Sequence, residues 1–148
     1  MKGPVLGYLP GLEGMLSMIE AEETIQVGHE TVVPSKSPIT QYGVVFEDDG
    51  ETGYFYGLDT TRNEHNQILD ALHIYNVRSV IDKEKPSLVQ VVWSEDGLKA
   101  ALYINGYAHA VFDFAAKRGY CRSNFPAPNE EWTSFGKEWP DAALESFE

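Results

Sequence analysis

The segment from Ser87 to Cys121 constrains the fold of this chain more than any other. Its apolar runs are separated by two hairpin signals, Asp96-Gly97 and Asn105-Gly106. A tight two-residue hairpin of type I′ needs positive φ at both central positions, which Gly tolerates freely and Asn or Asp tolerate best among the other residues. The segment therefore predicts an antiparallel sheet, and it specifies no reaction.

The second hairpin signal also sets a register, because side chains alternate between the two sides of a strand. Counting outward from Asn105-Gly106 predicts a core face made of Leu98, Ala100, Leu102, Ile104, Ala108, Ala110, Phe112 and Phe114. The opposite face would carry Lys99, Ala101, Tyr103, Tyr107, His109, Val111 and Asp113. That mixture is too apolar for a fully solvated face, so we expect another part of the protein to cover some of it.

Weaker patterns extend the prediction to the rest of the chain. Strands are expected over 24–33, 41–47, 53–58 and 68–77, with a hairpin at Asp48-Asp49-Gly50 and a helical turn at the start of 68–77. Asn129 is a suitable N-cap for a helix bearing Trp132, Phe135 and Trp139, and a second short helix would span 141–147. We therefore predict a single α+β domain over 1–148, mainly an antiparallel sheet of about six strands, with short helices including a C-terminal one.

Size and composition bound the class of protein. The chain has 148 residues, 43% of them hydrophobic, which suits one domain with a core that needs neither metals nor disulfides. Cys121 is the single cysteine, no apolar run reaches the length of a membrane span, and no signal peptide is evident. These features predict a cytoplasmic location.

The net charge of −12 is unevenly distributed. Residues 1–65 carry −8, residues 66–128 carry +1, and residues 129–148 carry −5. Acidic flanks disfavour binding to a nucleic-acid backbone, because phosphates require Lys and Arg. They favour a basic protein partner, or they serve solubility alone.

Several phrases of the sequence resemble one bacterial family. They are VFEDDGETGYFY at 45–56, ILDALHIYNV at 68–77, VWSEDGLKAA at 92–101, and FDF at 112–114 followed by GYCR at 119–122 and FP at 125–126. These phrases are similar to those of the family catalogued as domain of unknown function 2251 (DUF2251). The resemblance covers roughly residues 40–140 and leaves the N-terminal segment 1–33 outside. It implies a bacterial domain and supplies no catalytic residues.

Two local patterns are candidates for sites of chemistry. The acidic run from Glu47 to Glu51 superficially suggests calcium, but its contiguous carboxylates lack the alternating spacing of an EF-hand and favour a solvated turn. Cys121 has basic neighbours that would stabilise a thiolate, although a strand cysteine is more often a buried apolar residue. Gly-rich phosphate-binding motifs are missing from the sequence, so no cofactor is expected.

The histidines are His29, His65, His73 and His109, and none belongs to a His-Glu-x-x-His motif. If their strands were neighbours, His73 and His109 would form a pocket with Asp113 and Arg122. Such a pocket predicts a small enzyme or ligand-binding protein, as the alternative to structural or surface roles for these side chains.

Tyrosines beside acidic turns suggest the other class of function. A tyrosine packs through its ring and keeps a polar tip, so it is enriched at protein-binding surfaces. The predicted binding surface comprises Asp48, Asp49, Glu51, Tyr54, Tyr56, Tyr103 and Tyr107. The leading hypothesis is thus a non-enzymatic acidic domain that captures a basic protein, resembling immunity or inhibitor proteins by analogy. Ordinary half-buried tyrosines or a homodimer surface are the plainer interpretation.

Overall fold

The protein is described by a computed structural model over residues 18–122, apart from the side chain of Met18. The strands in chain order are β1 Met18–Ile25, β2 Thr31–Lys36, β3 Tyr42–Asp48, β4 Thr52–Asp59, β5 Ile68–Asn76, β6 Ser87–Trp93, β7 Lys99–Ile104, β8 Tyr107–Asp113 and β9 Arg118–Cys121. A short 3-10 turn, Val77–Ser79, follows β5. Within the described range, no helix has the length and apolar character needed to cross a membrane.

The nine strands form two antiparallel sheets. A five-stranded sheet has the order β1-β6-β7-β8-β9, and a four-stranded sheet has the order β2-β3-β4-β5. Strands β2 to β5 are connected by successive hairpins. Strand β1, which precedes them in the chain, pairs instead with the distant β6. The first strand therefore belongs to the sheet formed by the C-terminal half of the described chain.

The main core lies between the two sheets, where alternate residues of each strand point inward. Its largest fully buried side chains include Trp93, Phe46, Phe55 and Phe112. The Trp93 indole N–H donates to the Ser35 hydroxyl across the interface at 2.9 Å. Gly57 of β4 lies so close to the Phe112 ring that an added Cβ would stand 3.3 Å from it. The two sheets are thus held by aromatic packing and a buried hydrogen bond.

A second apolar cluster occupies the outer face of the five-stranded sheet. It consists of Ile19, Val92, Ala101, Tyr103, Ala108 and Val111, with Tyr120 packed against it. Val111 and Ala101 are each 0% exposed and Tyr103 is 4% exposed. The expectation that this face is covered is confirmed, and the central strands are buried on both sides.

The three predicted hairpins are present, but the two-residue type I′ turn expected at Asp96-Gly97 is wrong. Asn105 and Gly106 have φ values of 53° and 79°, as a two-residue type I′ turn requires. The connection of β6 to β7 is longer, since five residues separate the strands and Gly97 alone among them has positive φ, at 70°. The β3–β4 hairpin turns at Gly50, whose φ is 97°.

A β-bulge in β8 corrects the predicted faces. Leu102 pairs with Ala110 and Tyr103 pairs with Ala108, so His109 is an extra residue between them. A bulge changes the direction of the side chains that follow it. Ala108 consequently joins the outer cluster instead of the inter-sheet core, whereas Ala110 is in that core as predicted.

The predicted α+β class is wrong, because the described part of the chain contains two sheets, nine strands and no α-helix. The expected single strand over 24–33 is broken by a turn at Gly28, with φ 92°, where the His29 N–H donates to the Gln26 carbonyl. The expected helical turn at Ile68 is strand, because this segment pairs with β4. The predicted helices after Asn129 lie outside the described residues.

Candidate functional site

The outer face of the four-stranded sheet gathers tyrosine, histidine and carboxylate side chains. Alternation in β4 directs Phe55 into the core and turns Tyr54 and Tyr56 to the other side. Strand pairing aligns Tyr54 with Glu47 and His73. We name this surface the tyrosine face, and its residues are Val32, Pro34, Val45, Glu47, Tyr54, Tyr56, Ala71 and His73.

Ring contacts and hydrogen bonds order the tyrosine face. The rings of Tyr54 and Tyr56 stack with centroids 5.8 Å apart, and the Tyr54 ring lies 5.6 Å from the His73 ring. The Tyr56 hydroxyl donates to Glu47 Oε1 at 3.1 Å. Burial, and then this hydrogen bond to a carboxylate, raise the pKa of Tyr56 to about 12. The phenol therefore remains neutral, and its ring is held in one orientation.

The acidic β3–β4 turn adjoins this face, but its carboxylates have different roles. Asp48 is buried and accepts hydrogen bonds from the Gly28 N–H, the Gly50 N–H and the Tyr75 hydroxyl. Asp49 accepts from the N–H groups of Glu51 and Thr52, and these bonds hold the pKa of Asp49 below its usual value. Asp48 therefore organises the fold, while the ionised Asp49 orders the turn.

Surface charge at this end of the sheet comes from other acids as well. Glu51 is exposed at the turn, and the exposed Glu30 lies beside Gly50. Together with Glu47 on the face and Asp49 in the turn, they outnumber Arg78 and Lys83, the two cations that line a pocket with Glu51 at this end. We call Glu30, Glu47, Asp49 and Glu51 the acidic end.

The remaining predicted binding residues lie elsewhere. Tyr103 is buried in the outer cluster of the five-stranded sheet. Tyr107 is 64% exposed at the β7–β8 hairpin, where the Arg122 guanidinium lies 5.2 Å from the centre of its ring. The structure brings Tyr54 and Tyr56 together with the acidic turn, and it does not bring Tyr103 or Tyr107 to them.

Of the four residues of the predicted catalytic pocket, the structure brings together His109 and Arg122, whose backbone N–H donates to the His109 carbonyl at 3.2 Å. His73 and Asp113 do not join them. His73 lies on the tyrosine face, where its Nε2 is 3.0 Å from Asn76 Oδ1. His109 lines a cleft together with the core residues Ile74 and Ile104. Asp113 is at the far end of β8, with its Oδ2 3.9 Å from Lys99 Nζ.

Arg122 and the remaining candidate groups have further contacts of their own. Arg122 Nε donates to the Ala108 carbonyl, while His29 and His65 are exposed in two different loops. The Cys121 thiol is buried in the inter-sheet core, with its Sγ 3.8 Å from the His73 carbonyl oxygen. No group of three His, Cys, Asp or Glu side chains in the described part of the chain could hold a metal ion.

Sequence reasoning missed the contribution of β2 and β3 to the tyrosine face. Val32 is 55% exposed, and Glu47 bonds Tyr56 across the strands. Alternation in Tyr42, Val44 and Phe46 already placed the intervening Val45 and Glu47 on the opposite side of β3. The sequence pattern did not show that pairing of β3 with β4 places Glu47 beside Tyr54 and Val45 beside Tyr56 on one face.

Residues 18–122 form an all-β architecture with two packed antiparallel sheets and an ordered aromatic surface on the smaller sheet. The chain belongs to a family described as an uncharacterized protein conserved in bacteria (DUF2251), whose sequence profile matches residues 25–148. The predicted family is thereby confirmed, and the match begins earlier than residue 40.

A relative from Haemophilus influenzae is 43% identical over 135 residues, covering 89% of this chain and 83% of the relative. It too is described as an uncharacterized protein. No solved structure matches this chain significantly.

Proposed function

We propose that this protein is a non-enzymatic acidic binding domain, of the immunity or inhibitor kind, that captures a basic protein through the tyrosine face. The observation that carries the proposal is the stacked pair of Tyr54 and Tyr56, held outward on a sheet face next to the acidic end. The uncharacterised family supplies no competing activity.

Ordered tyrosines reduce the entropic cost of binding. Each ring presents a large apolar surface with few torsions to immobilise, which is why tyrosines are frequent among residues that dominate binding energy. The bond from Tyr56 to Glu47 and the contact of Tyr54 with His73 fix the rings before a partner arrives. Such preorganisation favours affinity.

The charge pattern supports a basic partner. Four carboxylates form the acidic end, against two nearby cations, Arg78 and Lys83, while Lys36 lies at the opposite end of β2. An arginine of the partner would stack on the tyrosine rings and pair with Glu47, because a guanidinium combines a flat face with a fork of donors. Complementary charge would also accelerate association at low salt.

The test is capture from an extract of the source bacterium, with the immobilised protein as bait, at about 0.05 M and about 0.5 M salt. The bait variant Tyr54→Ala/Tyr56→Ala removes both rings, and Tyr107→Ala is the matched control on the other sheet. We expect the wild type and the control to retain the same basic protein at low salt. The double variant should retain at least about tenfold less of this partner, and high salt should release the partner from the wild type.

Variants that each remove negative charge at a different place show whether capture depends on the acidic end or on the net charge of the whole protein. Glu47→Gln/Glu51→Gln should weaken capture, whereas Glu95→Gln, an exposed acid of the β6–β7 connection, should leave it unchanged. Equal retention by the wild type and the double tyrosine variant, or retention of no partner at either salt concentration, would contradict the proposal. Folding of each variant is verified by its amide NMR spectrum.

A further inference from the structure

A cleft of about 490 Å³ opens at one end of the two-sheet sandwich. The β5–β6 connection forms one wall, from Val80 to Ser87, and the β7–β8 hairpin forms the other. Val27, Ile74 and Ile104 supply apolar lining, and Val27 and Ile74 are buried. The cleft is separate from the tyrosine face, since no residue of that face lines it.

The bulge in β8 supplies the cleft with a polar group. His109 is the extra residue of this bulge, and its side chain lines the cleft beside the apolar residues. Burial, and then the charge of Arg122, lower the pKa of His109, so its imidazole is neutral at pH 7 and offers one N–H donor. Within the described chain, neither ring nitrogen of His109 forms a hydrogen bond.

The other polar groups in the cleft are already engaged. The Tyr75 hydroxyl donates to Asp48, and the Asn105 amide bonds the Leu88 N–H and the Ser87 hydroxyl. An available donor surrounded by apolar side chains is the usual composition of a small-molecule site. Among the uncharged polar side chains that line the cleft, His109 is therefore the one that a ligand would use.

Charge at the mouth of the cleft selects the ligand. Lys83 and Lys85 both line it, accompanied by Asp82, whose Oδ2 lies 3.8 Å from Lys85 Nζ. Because the Lys85 charge is balanced by Asp82, Lys83 leaves the mouth with a net positive charge in a protein whose total is −12. An anionic group is favoured there, and an apolar body is favoured deeper inside.

We propose that this cleft binds a small carboxylic acid with an apolar body. The body packs on Val27, Ile74 and Ile104, and the carboxylate accepts hydrogen bonds from Lys83 and His109. The site is independent of the tyrosine face, so either can fail without the other.

The test is an NMR titration of the isotopically labelled full chain with three probes. Hexanoate has both the charge and the apolar body, acetate has the charge alone, and pentylammonium has a similar body with the opposite charge. We expect hexanoate to give saturable shifts at the amides of Val27, Ile74, Ile104 and His109. Acetate should bind at least about tenfold more weakly, and pentylammonium should give no saturable shift.

Two variants assign the polar contacts. Lys83→Met and His109→Phe should each weaken hexanoate binding by about fivefold to tenfold. The control Lys36→Met, on the outer face of the four-stranded sheet, should leave hexanoate binding unchanged. The imidazole ¹⁵N shifts of His109 should also move on hexanoate binding. Equal responses to hexanoate and pentylammonium, shifts confined to residues outside the cleft, or undiminished binding by Lys83→Met would overturn the proposal.

Discussion

The outer faces of the two sheets differ, although both are made by alternate residues of antiparallel strands. On the five-stranded sheet these positions hold small or apolar residues such as Val92, Ala101 and Val111, and all three are buried. On the four-stranded sheet they hold Glu47, Tyr54 and other half-exposed residues. A strand buried on both sides has a nearly continuous apolar sequence, so the composition of alternate positions distinguishes a sheet with two buried faces from a sheet with one open face.

The strongest test of this comparison places a carboxylate on each outer face. Val111→Asp should lower the free energy of unfolding by more than about 3 kcal/mol, because it buries an unpaired charge, while the 55% exposed Val32→Asp should cost about 1 kcal/mol. Urea unfolding measures both. If Val111→Asp does not fold, Val111→Ala should still cost about 2 kcal/mol against about 0.5 kcal/mol for Val32→Ala. Similar losses on the two faces would break the comparison.

A second test contrasts the inner and outer sides of the four-stranded sheet. Two tyrosine hydroxyls donate to carboxylates there, Tyr75 to the buried Asp48 at 2.6 Å and Tyr56 to the half-exposed Glu47 at 3.1 Å. Tyr75→Phe should cost about 2 kcal/mol, since it deprives a buried acceptor of a partner, and Tyr56→Phe should cost less than about 0.5 kcal/mol. The free energy of unfolding of each variant is measured by chemical denaturation. Equal losses for Tyr75→Phe and Tyr56→Phe would mean that the two sides of the sheet are comparably solvated.

A third test uses pH to probe the inner side of the same sheet. Burial raises the pKa of Asp70 to about 6, so the folded state binds its proton more tightly than the unfolded state does. The tighter binding of the proton to Asp70 in the folded state stabilises the fold at low pH, and this stabilisation is lost as pH rises from about 4 to about 6. Relative to wild type, Asp70→Asn should therefore become more stable across that window, by about 1 to 2 kcal/mol.

The control for this titration is an exposed carboxylate. Hydrogen bonds from Thr61 lower the pKa of Asp59, so Asp59→Asn should lose stability relative to wild type as pH rises. Unfolding in urea at several pH values measures both variants. Slopes of the same sign for Asp70→Asn and Asp59→Asn would show that the inner side of the sheet is not shielded from solvent.

Local chemistry explains what the sequence could predict. The turns at Gly50 and Asn105-Gly106 require residues that accept positive φ, and alternation then assigns most inward residues of β3, β4 and β7. Tyr54 and Tyr56 were identified because they alternate beside an acidic turn. Both predictions depend on residues within one hairpin.

Long-range pairing explains what the sequence could not predict. Whether β1 joins β2 or the distant β6 is decided by which faces must be buried together, and a local pattern does not contain that information. The burial of Asp48 depends on Gly28 and Tyr75, which are 20 and 27 residues away in the chain. The bulge at His109 likewise depends on the register of its partner strand.

The bulge in β8 makes the cleft histidine separable from the rest of the fold. His109 has no partner of its own in β7, so deleting it would restore regular alternation while Tyr103 still faced Ala108 and Leu102 still faced Ala110. One deleted codon would then remove the imidazole and leave both apolar faces in place. The number of residues between the Asn105-Gly106 turn and Phe112 therefore decides whether an imidazole lines this cleft, independently of the pairing of β7 with β8.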